Sequence, residues 1–238
     1  MAIIPSTQKF HTVAEDIPTK NRGSELANSG REAVTMQDII DSVPSSTSIF
    51  EEGTGGAAST QRVGSSNQAG GVSSTVGGGV ANEARGDGSV ISGGKDNISV
   101  GNRSSISGGN NNRSGGLRAS VGGGLANNAG GQDSTIGGGK QNIASAYAST
   151  VGGGTANEAR GGSAAIGGGA LNVISSTAGY SAIAGGIFNE STGLRSFLGG
   201  GNSNITSGNE STVAGGNVNT STGARSAILG GQLNTASG

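Results

Sequence analysis

Along most of this chain the apolar positions recur every fifteenth residue. From residue 59 onward, single β-branched or aliphatic residues stand at Val76, Ile91, Ile106, Val121, Ile136, Val151, Ile166, Ile183, Leu198, Val213 and Ile228. Six residues after each comes an asparagine: Asn82, Asn97, Asn112, Asn127, Asn142, Asn157, Asn172, Asn189, Asn204, Asn219 and Asn234, with Asn67 opening the series. A Gly pair begins two positions after each aliphatic residue, from Gly78-Gly79 to Gly230-Gly231, and a serine precedes most of them by two. One step, Asn172 to Asn189, is seventeen residues long, after which the fifteen resumes. A fixed period of this kind marks a stacked repeat and argues against disorder.

Fifteen residues accommodate two short strands and two turns. The Ser-x-Val/Ile run alternates as a strand does. The Gly pair suits a turn with positive φ, and a second glycine that recurs ten residues after the aliphatic position (Gly86, Gly101, Gly116, Gly131, Gly161, Gly193, Gly208, Gly223 and Gly238) marks the other turn. One unit then forms one coil, and about twelve coils stacked at about 4.8 Å make a rod of roughly 55–60 Å. Equivalent residues fall into ladders: an aliphatic column inside, and an asparagine column whose amides bond up and down the stack. The first unit departs from the pattern, with Gln61 in the aliphatic place, as a capping repeat does. Arg195, Glu210 and Arg225 share one repeat position, as do Arg118 and Asp133, so opposite charges align on consecutive coils as marks of register.

The predicted fold is therefore all-β, a parallel β-roll or β-solenoid of about twelve 15-residue coils over residues 59–238. One coil offers only one or two aliphatic side chains. That small core predicts association, with the aliphatic columns of three chains meeting on a common axis, so a homotrimer is favoured over a monomeric β-helix.

Residues 1–44 read differently, as an extended N-terminal docking arm with one short helix at 36–43. Thr35-Met36-Gln37-Asp38 resembles a capping box. Met36, Ile39, Ile40 and Val43 form one apolar stripe, and Pro44 stops the helix. Two turns of helix are unstable alone in water. The stripe is expected to dock on a partner protein or a second copy, the alternative being local packing under the first repeats. Residues 45–58, rich in Gly, Ser and Thr, read as a linker.

Composition narrows the chemistry. With 50 glycines in 238 residues, 31% hydrophobic and 3% aromatic, the chain cannot build a thick globular core. Its glycines lack the every-third-residue period of collagen. A net charge of −1 sets up no field that would draw in nucleic acid or an acidic membrane. Cysteine is absent and His11 is the only histidine, which excludes disulfides, thiolate metal sites and a histidine-based triad. No carboxylate pair suggests glycoside hydrolysis. Asp87, Asp96 and Asp133 occupy different phases of the repeat, unlike calcium-binding nonapeptides. The Gly pairs lack the Lys-Ser/Thr of a phosphate-binding loop. Asn97-Ile98-Ser99, Asn204-Ile205-Thr206 and Asn209-Glu210-Ser211 match the glycosylation pattern, which an Asn- and Ser-rich repeat generates by accident. The expectation is a non-enzymatic protein without cofactor, metal or nucleic acid. There is no basic start followed by an apolar run and no apolar stretch of about 18 residues, so neither a signal peptide nor membrane insertion is expected. The two extra residues of the long step fall within Ser175–Tyr180, a candidate contact loop with Tyr180 as its most adhesive side chain.

The unit Ser-x-Val/Ile-x-Gly-Gly-x-x-Asn-x-Ala-x-Gly, as in Ser149 to Gly161, resembles the head repeats of YadA-like trimeric adhesins over about three quarters of the chain. That resemblance implies a left-handed parallel β-roll trimer, here with a period of fifteen where fourteen is commoner. Gln8 to Val13, Lys20 to Ser24, and Arg31-Glu32 through Thr35 to Ile40 are similar to the start of virion structural proteins of tailed phages with marine or cyanobacterial hosts. Together the two resemblances imply a virion fibre, whisker or tail-associated fibre, made in the host cytoplasm and docked through residues 1–50. Its expected partners are its own copies, other virion proteins, and a host surface receptor or glycan. The alternative is a bacterial surface adhesin of the trimeric autotransporter type, against which the expected lack of a signal peptide and of a C-terminal membrane anchor both weigh. A glycan-active tailspike ranks last.

Overall fold

Two-residue strands separated by tight turns give each coil one outward and one inward side chain per strand, and this alternation organises the whole molecule. The computed structural model describes residues 50–52, 59–62 and 66–238. They form an all-β, parallel solenoid of about eleven turns, with no helix among the described residues. The short helix expected at Met36, Ile39, Ile40 and Val43 lies outside them.

Two sheets run the length of the rod. The first gathers the strands that carry the aliphatic residues, from Thr75–Val76 to Ala227–Ile228, with Thr60–Arg62 before them. The second gathers the strands that follow each asparagine, from Gln68–Ala69 to Thr235–Ala236. Each sheet holds twelve parallel strands joined by eleven pairings, so twelve asparagines correspond to eleven coil-to-coil steps. Register is a strict fifteen, as in Ser120 opposite Thr135 and Val121 opposite Ile136. Across the long step it becomes seventeen, Ile166 opposite Ile183, without loss of pairing. A third ladder of single bridges, Val80 to Lys95 and on to Asn217 with Gln232, runs along the corner before the asparagines.

Within the segment read as linker, Phe50–Glu52 is a strand. It pairs antiparallel with Thr60–Arg62, Glu51 opposite Gln61, and so covers the edge of the first sheet at its start. Covering an edge in this way blocks pairing with foreign strands.

The aliphatic column is buried inside its own coil. Val76, Ile91, Ile106, Val121, Ile136, Val151, Ile166, Ile183, Leu198 and Val213 are at most 1% exposed in the single chain, and Ile228 is 7% exposed. These residues do not reach a common axis between chains, because a second inward column, mostly small, closes over them: Ala69, Ala84, Ser99, Ser114, Ala129, Ala144, Ala159, Ile174, Ser191, Thr206 and Ser221 are all buried. The size of the core therefore does not by itself call for three chains.

Serines two residues before the aliphatic column complete the interior, with Ala119 and Ala164 in two of their places. In some coils where the second column supplies a hydroxyl the two bond: Ser99 Oγ lies 2.6 Å from Ser104 Oγ, and Ser191 Oγ 2.6 Å from Ser196 Oγ. Ser196 Oγ also reaches Thr206 Oγ1 at 3.1 Å and donates to Gly193 O at 3.0 Å. By contrast, Ser74, Ser89 and Ser211 are among the described buried residues whose hydroxyls have no hydrogen-bond partner. Ser196→Ala is therefore expected to cost about 1–2 kcal/mol, and Ser89→Ala less than about 0.5 kcal/mol. Denaturant unfolding of the two variants checks this; equal losses would mean that the hydroxyl network contributes nothing.

Candidate functional site

The asparagine side chain carries both an acceptor and a two-proton donor, and the coil uses all of it. Asn157 is typical. Its Oδ1 accepts the backbone N–H of Asn172 at 3.0 Å and the Nδ2–H of Asn172 at 3.0 Å. Its own Nδ2 donates to Gly153 O at 2.9 Å and to Gly169 O in the next coil at 2.9 Å, with Asn142 Oδ1 at 3.2 Å sharing these protons. Each asparagine thus ties its own turn to the coils before and after. From Asn82 to Asn219 the ladder is buried. It continues through Asn189, whose N–H reaches Asn172 Oδ1 at 3.1 Å across the long step, and on to Asn234, whose N–H donates to Asn219 Oδ1 at 3.0 Å. Of the glycosylation-pattern asparagines named above, Asn97 and Asn204 are ladder members and fully buried, while Asn209 is exposed.

The Gly pair divides its work unequally. The second glycine takes positive φ, +90° at Gly154, and a Cβ there would lie 2.1 Å from Gly169 O and 2.7 Å from Asn157 Nδ2. The first, as at Gly153, faces open space.

Both corners of the coil, one just before the asparagine and one just before the interior serine, place a residue in the left-handed region, and here that residue is usually not glycine. Twenty-two non-glycine residues among those described have φ between 50° and 62°, including Leu171, Tyr180, Phe188 and Val218. From Asp96 onward each keeps a bond to the preceding coil while turning the chain: Leu171 N–H donates to Thr155 O at 3.0 Å, and Val218 N–H to Asn202 O at 2.9 Å. A left-handed β-branched residue is strained. Val218→Asn is expected to raise stability by about 1 kcal/mol, read from thermal unfolding; an unchanged or lower midpoint would show that the corner is not strained.

At the corner before the serines, charges align as the sequence spacing suggests. Arg118 donates to both oxygens of Asp133, at 2.6 and 2.8 Å. This hydrogen-bonded pair holds the Asp133 carboxyl below the usual carboxylate range and raises the Arg118 guanidinium further. Glu210 sits between Arg225 at 3.0 Å and Arg195 at 3.8 Å. All are exposed or half-exposed, so they fix register more than they stabilise.

The extra residues of the long step, Ser176 and Thr177, form an exposed turn at this same corner. Ala178 N–H closes it on Ser175 O at 3.1 Å, and Thr177 Oγ1 donates to Thr192 O at 3.1 Å. Tyr180 follows, 68% exposed. Tyr147, not singled out by the repeat pattern, lies at the same corner and is also exposed. The opposite corner is apolar in places, with Leu125, Leu171, Ile187, Phe188 and Val218 all exposed. Among the described residues no three His, Cys, Asp or Glu side chains come together as a metal site, and no helix is long and apolar enough to cross a membrane. Neither any protein-family model nor any curated protein matches the chain.

Proposed function

We propose that this chain is a non-enzymatic virion structural protein, a homotrimeric fibre or whisker that docks on the particle through its N-terminal arm and projects the solenoid as a shaft for host adhesion. The observation that carries this reading is the uninterrupted asparagine ladder. Interior side chains along the whole rod are committed to holding one coil on the next, which suits a shaft whose task is to keep its shape and its length. The resemblance of the repeats to YadA-like heads supports the three-chain state, and that of the arm to phage virion proteins supports the location. The exposed apolar corner at Leu125, Leu171, Ile187, Phe188 and Val218 supports association between copies, because apolar groups of that size gain by leaving water.

Light scattering on the eluted full chain is expected to give three times the chain mass, and a monomer would overturn the trimer. Removal of residues 1–44 is expected to leave a folded rod that is missing from purified particles. Incorporation of the shortened chain would overturn the docking arm, and recovery of the intact protein from the bacterial surface alone would overturn the virion location.

A further inference from the structure

The chain has two tyrosines and no tryptophan. Both tyrosines stand at one corner of the rod with a single coil between them. Ser163 N–H donates to Tyr147 O at 2.8 Å and Tyr180 N–H to Gly162 O at 2.8 Å, which stacks Tyr147, the Gly162-Ser163 pair and Tyr180 in that order. Two coils separate the tyrosines by about 10 Å at the inter-strand spacing. The coil between them is low, since a Cβ added at Gly162 would meet nothing within 4 Å. The only interruption of the fifteen-residue period falls here too, and it adds exposed Ser176 and Thr177 shortly before Tyr180, with the Thr177 hydroxyl bonded to Ser175 and to Thr192 O.

Charge is sparse between the two rings. Below them, Arg118 is closed on Asp133; above them, Arg195 and Arg225 share the one carboxylate of Glu210. Arg160, in the middle coil, is paired with Glu158. Two exposed aromatic faces over a low floor, with hydroxyls at the side and no unpaired charge between the rings, match the chemistry of a neutral sugar chain. Such a chain offers apolar C–H faces for the rings and hydroxyl groups for the rim.

We infer that the corner from Tyr147 to Tyr180 is a binding site for a linear, neutral glycan. The inference deepens the adhesive role proposed above and rests on it. Tyr147 and Tyr180 provide stacking faces, and Ser163 and Ser176 provide hydroxyl partners.

The test uses the full chain, with cellohexaose, maltohexaose and chitohexaose as probes followed by calorimetry and by tyrosine emission, which in this chain reports on these two residues alone. At least one probe is expected to bind saturably. Tyr147→Ala and Tyr180→Ala are each expected to weaken it about tenfold, while Tyr147→Phe, which keeps the ring, changes it less than about threefold. Phe188→Ala, at the other corner, leaves binding unchanged. Both tyrosines are exposed, so the variants should keep the thermal midpoint of the parent, and that is measured alongside. Failure of all three probes to bind, or binding indifferent to both alanine variants, overturns the site. Particle incorporation of the same variants is scored separately: normal incorporation without sugar binding defeats this inference and leaves the fibre reading standing, whereas absence of the parent chain from particles defeats the fibre reading.

Discussion

Asn157→Asp is expected to lower stability by at least about 4 kcal/mol, a large effect for so small a change in shape. The amide nitrogen that the substitution removes faces three acceptors: Gly153 O, Gly169 O and Asn142 Oδ1. A carboxylate oxygen in its place has no proton to give and meets three partial negative charges in a buried site. Leaving a buried polar group unsatisfied costs about 1–3 kcal/mol, and an uncompensated buried charge about 3–5 kcal/mol. The pH dependence tests the cause. A carboxyl in this position has its pKa raised in the folded state, so the folded protein binds the proton more tightly and the deficit should shrink as pH falls. Denaturant unfolding of Asn157→Asp and Asn157→Ala at two pH values checks this. A deficit for the Asp variant that does not respond to pH would show that charge is not its origin.

The second large effect separates two adjacent glycines. Gly154→Ala is expected to cost about 3–5 kcal/mol, combining a positive φ of 90° with a Cβ placed 2.1 Å from the Gly169 carbonyl oxygen. That oxygen belongs to the next coil and accepts from Asn157 Nδ2, so it cannot withdraw without breaking the ladder. Gly153→Ala places its methyl in open space and is expected to change stability by less than about 1 kcal/mol. Comparable losses at the two positions would mean that the pair acts through chain stiffness instead of contact.

What the sequence makes legible is whatever repeats with a distinctive side chain. Val121, Asn127 and Gly124 announce themselves because a β-branched group, an amide and a missing side chain each answer one physical demand at one place in the coil. The small inward column is harder to see. Ala84, Ser99, Ala129 and Ile174 share a position without sharing a polarity, and what unites them is the space left by the aliphatic residue across the coil. Missing that column makes the interior look half empty, and an empty interior invites three chains to fill it. The left-handed corners are hidden for a related reason. Glycine and asparagine advertise positive φ, but Ala156, Arg118 and Val218 do not, and only the backbone bonds to the preceding coil hold them there. The strand Phe50–Glu52 was concealed by its surroundings, since neighbouring Gly, Ser and Thr read as linker while edge pairing with Thr60–Arg62 decides otherwise.

The strict pairing of each coil with the one fifteen residues later gives the gene a coarse unit of change. Excising a whole coil, such as residues 98–112, brings Asn97 directly before Arg113 and leaves every surviving column continuous. The rod shortens by one inter-strand spacing and nothing else needs to adjust. Deleting a single residue from a strand is far worse, because it turns inward side chains out for the rest of that coil. Shaft length in such a protein can therefore drift by duplication and loss of whole units, while its interior tolerates almost no change in between.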